Sequence, residues 1–135
     1  MHLITLTDVT LDDIADIARD AGLSTSMYEQ HGFRSLSVTF AGSKKWYWED
    51  VPKHSWIAGE LDGYELDLVA ANHPIQIFAV RVRQVPECEL VKFLDAINKA
   101  YGGMWTLAGR VFENGHLTEL PHWLANVDSS SENAL

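Results

Sequence analysis

With 135 residues, 47% of them apolar and 21% charged, the chain is sized for one globular domain. Its 19 acidic residues against 10 Lys and Arg give a net charge of −9. That balance argues against a nucleic-acid-binding module, which carries a basic footprint, and against an anionic membrane surface.

A chain of this length buries roughly two-thirds of its unfolded surface, so it needs neither a disulfide nor a metal to fold. Cys88 is the single cysteine. No apolar run approaches the roughly 18–20 residues of a membrane span. The segment from Met1 to Asp8 lacks the basic and long apolar regions of a signal peptide. The expected compartment is the cytoplasm. Residues 1–125 read as one domain. Residues 126–135, with Ser129-Ser130-Ser131 and no apolar period, read as a flexible tail.

Leu3, Ile4 and Leu6 suggest a first short strand. Thr10 and Asp13 have the spacing of a capping box. Ile14, Ile17, Ala18 and Ala21 follow with the helical period, which predicts a helix over residues 11–21 ended by Gly22. Residues 24–34 carry no decisive period and leave room for a short helical turn. Leu36, Val38 and Phe40 alternate with Ser35, Ser37 and Thr39, so a half-buried strand is predicted, ending at Gly42. Trp46-Tyr47-Trp48 reads as the next strand, with both tryptophans on one face and Pro52 closing it. Residues 56–61 read as a weaker strand, interrupted by Gly59.

Residues 64–82 present two matching alternations. Tyr64, Leu66 and Leu68 would pair with Val82, Val80 and Phe78 around a turn at Asn72-His73-Pro74. The same register sets Glu65 opposite Arg81, so an antiparallel hairpin is predicted. Pro86 then opens a second helix with Leu90, Phe93, Leu94, Ile97 and Tyr101 as its apolar stripe and Gly102-Gly103 as its stop. Trp105, Leu107, Gly109 and Val111 alternate as one more strand. Asn114-Gly115 signals a hairpin whose return arm carries Leu117 and Leu120 and stops at Pro121. Two helices cannot serve as crossovers for that many strands. The expected fold is α+β: a single domain with a mainly antiparallel, twisted β-sheet of about 5–7 strands and two α-helices packed on one face.

The six histidines (His2, His31, His54, His73, His116 and His122) form no H-x-H, H-x-x-x-H or H-E-x-x-H spacing, so no metal centre is expected. Cys88 lies between Glu87 and Glu89, whose charges oppose a thiolate, and reads as a packing residue. Gly102-Gly103 and Ala108-Gly109 lack the Lys-Ser or Lys-Thr pair of a phosphate loop. No cofactor is expected.

The acids are more informative. Asp12, Asp16 and Asp20 share one stripe of the first helix, with Asp8 and Asp13 beside them and Arg19 the lone base. Like charges at i, i+4 repel, and that repulsion is relieved when a basic partner docks. A second concentration runs through Glu49, Asp50, Glu60, Asp62, Glu65 and Asp67, with Arg81 and Arg83 set to neutralise Glu65 and Asp67 across the hairpin. Among five tryptophans, Trp46 and Trp48 flank Tyr47, and the three cannot all face one side of a strand.

Small, acidic, single-domain chains rich in interface aromatics include bacterial immunity proteins, which neutralise a basic toxin, often a nuclease, by direct binding. The expected function is of that kind: a protein-binding module, not an enzyme, with a basic protein partner and neither nucleic acid nor membrane. The partner-binding residues expected are Asp12, Asp16, Asp20, Trp46, Trp48, Glu49 and Asp50. One alternative is a small hydrolase or transferase in which His116 or His54 meets an acid. The other is a structural subunit joined to an assembly through the aromatic segment.

Overall fold

The computed structural model describes residues 1–40, 45–81, 87–113 and 116–119. Gly42, Val82, Arg83, Pro86, the Asn114-Gly115 signal, Leu120, Pro121 and the expected tail at 126–135 lie outside the described residues.

Among the described residues seven antiparallel strands form one open sheet: β1 (His2–Thr5), β2 (Ser24–Gln30), β3 (Phe33–Thr39), β4 (Lys45–Asp50), β5 (Gln76–Arg81), β6 (Met104–Leu107) and β7 (Arg110–Phe112), in the order β2-β3-β4-β5-β1-β6-β7. The helices are α1 (Leu11–Asp20), α2 (Lys53–Ser55), α3 (Gly63–Asn72) and α4 (Glu87–Tyr101). The chain is thus a single α+β domain.

Helix α1 starts as its sequence dictates. Thr10 Oγ1 accepts from the Asp13 N–H at 3.2 Å, and Asp13 Oδ2 accepts from the Thr10 N–H at 2.9 Å, which satisfies two of the donors a helix start leaves free. Its buried side chains Leu11, Ile14, Ala15 and Ala18 meet Leu90, Phe93, Leu94 and Ile97 of α4 over one sheet face. That face contributes Leu3, Leu36, Val38, Trp46, Trp48, Phe78, Val80, Trp105 and Phe112. The two helices legible in the sequence therefore do share one side of the sheet. The opposite face holds a smaller core of Ile4, Val51, Trp56, Leu61, Ile77 and Met104, against which Leu66, Leu68 and Val69 of α3 pack.

Helix α3 overturns the predicted hairpin at 64–82. Asp62-Gly63-Tyr64-Glu65 is itself a helix start: Glu65 Oε1 accepts from the Asp62 N–H at 3.0 Å. Leu61, Glu65, Leu68 and Val69 then fall at helical spacing, which makes the Tyr64, Leu66, Leu68 alternation incidental. His73 takes the left-handed conformation at the C-cap, and Pro74 prevents continuation. Strand β5 pairs with β1 and β4 instead, so Val80 faces Trp48 and Arg81 faces Tyr47.

Four other expectations are corrected. Residues 24–34 contain no helical turn. They form β2 and lead into β3 through His31-Gly32, both at positive φ (53° and 80°), as a two-residue hairpin loop of type I′ handedness requires. Residues 56–61 are no strand: Trp56–Glu60 is a wide helical turn that continues α2 and breaks at Ala58 and Gly59. The alternation from Trp105 to Val111 is two strands, because Ala108 and Gly109 at positive φ fold β7 back so that Trp105 faces Phe112. Leu117 lies on a short 3-10 turn, Leu117–Glu119, instead of a return strand.

Gly103 shows how tightly α4 is joined to the sheet. Its φ is +114°, and a Cβ there would stand 3.0 Å from both Ile4 O and Leu3 Cδ1. Gly103→Ala combines backbone strain with a clash against β1, and we expect it to lower unfolding stability by about 2–3 kcal/mol in urea titrations. Gly32→Ala carries only the strain, with nothing within 4 Å, and should cost about 1 kcal/mol.

Candidate functional site: an acidic and aromatic cleft beside a buried carboxylate

The strand registers align one row of residues across the second face of the sheet. Thr106 faces His2, His2 faces Ala79, Ala79 faces Glu49, Glu49 faces Ser35, and Ser35 faces Tyr28. Helix α3 covers the Thr106–His2 end of this row. The other end forms the floor of an open cleft of about 410 Å³. The tip of the β2–β3 hairpin, with Tyr28, His31 and Phe33, makes one wall. Pro52, Ser55 and Glu60 make the other.

The cleft is acidic and has an aromatic rim. Glu49, Asp50 and Glu60 line it together with Arg34. Phe33 is 67% exposed and Tyr28 59% exposed, unusual for side chains that large. Asp50 Oδ1 accepts from Gln76 Nε2 at 2.7 Å. Burial raises the Asp50 pKa above the usual carboxylate value, against the opposing pull of Arg34. The Arg34 guanidinium also reaches Asp12 on α1, with Nη2 at 3.2 Å and 3.3 Å from the two carboxylate oxygens. Glu49 lies 3.9 Å from the Arg81 guanidinium, a contact exposed to solvent.

At the covered end of the row stands Glu65, only 2% exposed. It is held on three sides: by His2 Nδ1 at 2.7 Å, by the Thr106 hydroxyl at 2.5 Å, and by the Asp62 N–H at 3.0 Å. Burial by itself would raise its pKa. The hydrogen bonds from His2, Thr106 and Asp62, with the charge of His2, outweigh burial and hold the carboxyl at about 2. The other ring nitrogen of His2, Nε2, points to Glu60 Oε1 at 3.6 Å. His2 thus joins the buried carboxylate to a wall of the cleft.

The residues expected to bind a partner are distributed unevenly. Glu49 and Asp50 line the cleft, and Asp12 reaches its border through Arg34. Asp16 is exposed and pairs with Arg19 on its own helix; neither Asp16 nor Asp20 lines the cleft. Trp46 and Trp48 require correction. Both are 0% exposed, packed under α1 and α4, and present no surface to a partner in this fold. The aromatic that leaves the core at this point is Tyr47, half-buried on the other face. His116 pairs with Glu119 at 3.3 Å on the surface, and neither it nor His54 lines the cleft. Among the described residues no group of three or more His, Cys, Asp or Glu is arranged to hold a metal ion. No helix among them is long and apolar enough to cross a membrane.

His2, Glu65, Tyr28, Phe33 and Arg34 were not singled out from the sequence as site residues. The Asp62-x-x-Glu65 start was readable there and would have placed Glu65 on a helix. The exposure of Phe33 depends on the hairpin, which the sequence left undecided.

The fold and the cleft define a single-domain α+β protein with an open, acidic, aromatic-rimmed surface on the uncovered end of its sheet. Comparison with protein-family models, with curated proteins and with solved structures gives no match.

Proposed function

We propose that this protein is a binding module that receives a basic protein partner at the cleft, in the manner of an immunity or inhibitor protein acting on a basic toxin. The observation that carries this reading is a cleft lined by Glu49, Glu60 and the strand-end Asp50, whose carboxylate is turned to Gln76, and rimmed by the exposed rings of Tyr28 and Phe33. A Lys or Arg of the partner entering there meets opposite charge and aromatic faces together, and buried aromatic and Arg contacts are where interface energy concentrates. The exposed carboxylates of α1 extend the field. With a net charge of −9 they act mainly on the encounter rate.

The test uses the partner captured from the native host and association kinetics over a salt series. Replacing Asp12, Asp16 and Asp20 together by Asn should slow association several-fold at low salt and matter little at high salt. Phe33→Ala should act on dissociation, speeding it about tenfold or more. Unchanged rates for both variants at low salt would remove the cleft and the helix stripe from the interface.

The hydrolase or transferase alternative is favoured by one observation, the Glu65–His2–Glu60 chain. Glu65 fixes one imidazole nitrogen while the other faces Glu60 in the cleft wall, which is the arrangement of a histidine that exchanges a proton with a group in the cleft. His2→Asn, which keeps a donor near the Nδ1 position for the buried Glu65 but has no titrating nitrogen, separates the two readings. It should leave partner binding intact if the cleft is a docking site, and abolish turnover of a small-molecule ester or phosphoester if the chain is catalytic.

A further inference from the structure

Strand β2 ends the sheet order, and among the described residues nothing pairs with its outer edge. Its sequence, Ser24-Thr25-Ser26-Met27-Tyr28-Glu29-Gln30, has no proline and no lysine, the devices that usually protect an edge from pairing. We propose that this edge is a self-association surface at which β2 of a second copy of this chain pairs antiparallel with β2 of the first, joining the two sheets.

The occupant follows from the register. A two-fold axis at Met27 is the one position that pairs all seven residues of β2, setting Ser24 against Gln30, Thr25 against Glu29, Ser26 against Tyr28 and Met27 against its own copy. Charge selects the same register. Glu29 is the only charged residue of the strand, and its cross-strand neighbour Arg34 is engaged by Asp12. Thr25 holds a cation at this edge: Arg19 Nη1 of α1 donates to Thr25 Oγ1 at 3.1 Å, while its Nη2 pairs with Asp16 of the same helix. In the Met27-centred pair, Glu29 of each copy stands opposite Thr25 of the other, within reach of that Arg19. Each Arg19 is then shared between its own Asp16 and Glu29 of the other copy, and no like charges face each other across the two strands. Shifting the axis to Tyr28 sets Glu29 against Met27 and loses both contacts between the copies. Met27, 36% exposed in one copy, gains an apolar contact at the axis.

The surface is the outer edge of β2, a strand that also carries Tyr28 and Gln30 of the cleft, and its test needs no partner of the cleft. The experiment is sedimentation velocity on the full chain across a wide concentration range, in low and high salt. A reversible dimer of twice the 15.1 kDa chain mass is expected, favoured at high salt, which screens the repulsion between two copies of net charge −9. Met27→Lys puts two ammonium groups at the axis and should weaken the dimer at least tenfold. Glu29→Arg and Arg19→Glu should each do the same, and the two combined in one chain should restore it. Thermal melts show that each variant is folded. A chain monomeric at every concentration, or a dimer indifferent to Met27→Lys and not restored by the charge exchange, overturns the proposal. A monomer whose β2 edge is covered by its own residues 120–135 does so as well.

Discussion

Glu65→Ala is expected to lower stability at pH 7 by about 3–5 kcal/mol, a large part of what a domain of this size has. The reason is the number of partners that lose their acceptor inside the protein. The Thr106 hydroxyl is buried, the His2 ring is largely so, and the Asp62 N–H is a helix-start donor. An unpaired buried polar group costs about 1–3 kcal/mol. In a thermal melt the loss should appear as a fall of roughly 10–15 °C. Glu65→Gln keeps the shape but not the charge, and should fall between the wild type and the alanine variant.

The same carboxylate predicts a pH dependence with a definite sign. Its folded pKa, about 2, lies below the ordinary value of 4.5, so the unfolded chain binds the proton more readily. The stabilisation is complete above pH 4.5 and is lost as the pH falls toward 2. Its size is about 3 kcal/mol by linkage. Urea unfolding of wild type and Glu65→Gln at pH 7, 4 and 3 measures it. The gap between the two proteins should narrow steadily on acidification. A gap that stays constant would mean that shape and hydrogen bonding, not ionisation, hold α3 on the sheet.

What was legible in the sequence was local. The capping box and period of α1, the stripe of α4 and the alternation of β3 each repeat a residue type at one spacing, and each produced the element expected. In the segment 61–72 two periods coexist. Leu66 and Leu68 fit a strand, while Leu61, Glu65, Leu68 and Val69 fit a helix. Glu65 decided between them by capping α3 and then finding His2 and Thr106, partners 63 and 41 residues away. Residue pairs that distant leave no trace in local pattern. The site divided in the same way. Glu49 and Asp50 were visible as acids after a strand, but the cleft around them exists only because the β2–β3 hairpin and the Trp56–Glu60 turn rise on opposite sides. The tryptophans misled for a related reason. Composition marks Trp46 and Trp48 as aromatic, and only the closed core of α1, α4 and the sheet shows that nothing of them remains for a partner.

Trp48→Ala and Trp105→Ala should be the most damaging core substitutions, each costing about 4–5 kcal/mol in transfer and cavity terms. Both rings are 0% exposed. Their centroids are 5.6 Å apart at 79°, and Trp48 also meets Phe78 and Phe93 edge to face. The phenylalanine variants should separate them. Trp48 Nε1 is buried with no hydrogen-bond partner among the described residues, so Trp48→Phe loses volume but also removes an unpaired N–H. Trp105 Nε1 donates to Asn98 Oδ1 at 3.0 Å, inside the core. Trp105→Phe leaves that oxygen orphaned on a residue whose Nδ2 already lacks a partner. It should therefore cost about 1–2 kcal/mol more than Trp48→Phe. Asn98→Leu in the Trp105→Phe background should recover much of this difference, whereas Asn98→Leu alone should be destabilising because it strands the Trp105 N–H. Urea titrations of these four proteins against wild type measure the coupling. If Trp105→Phe proves no worse than Trp48→Phe, the indole–amide bond adds nothing to the packing of the rings, and Asn98 is held in the core by its neighbours alone.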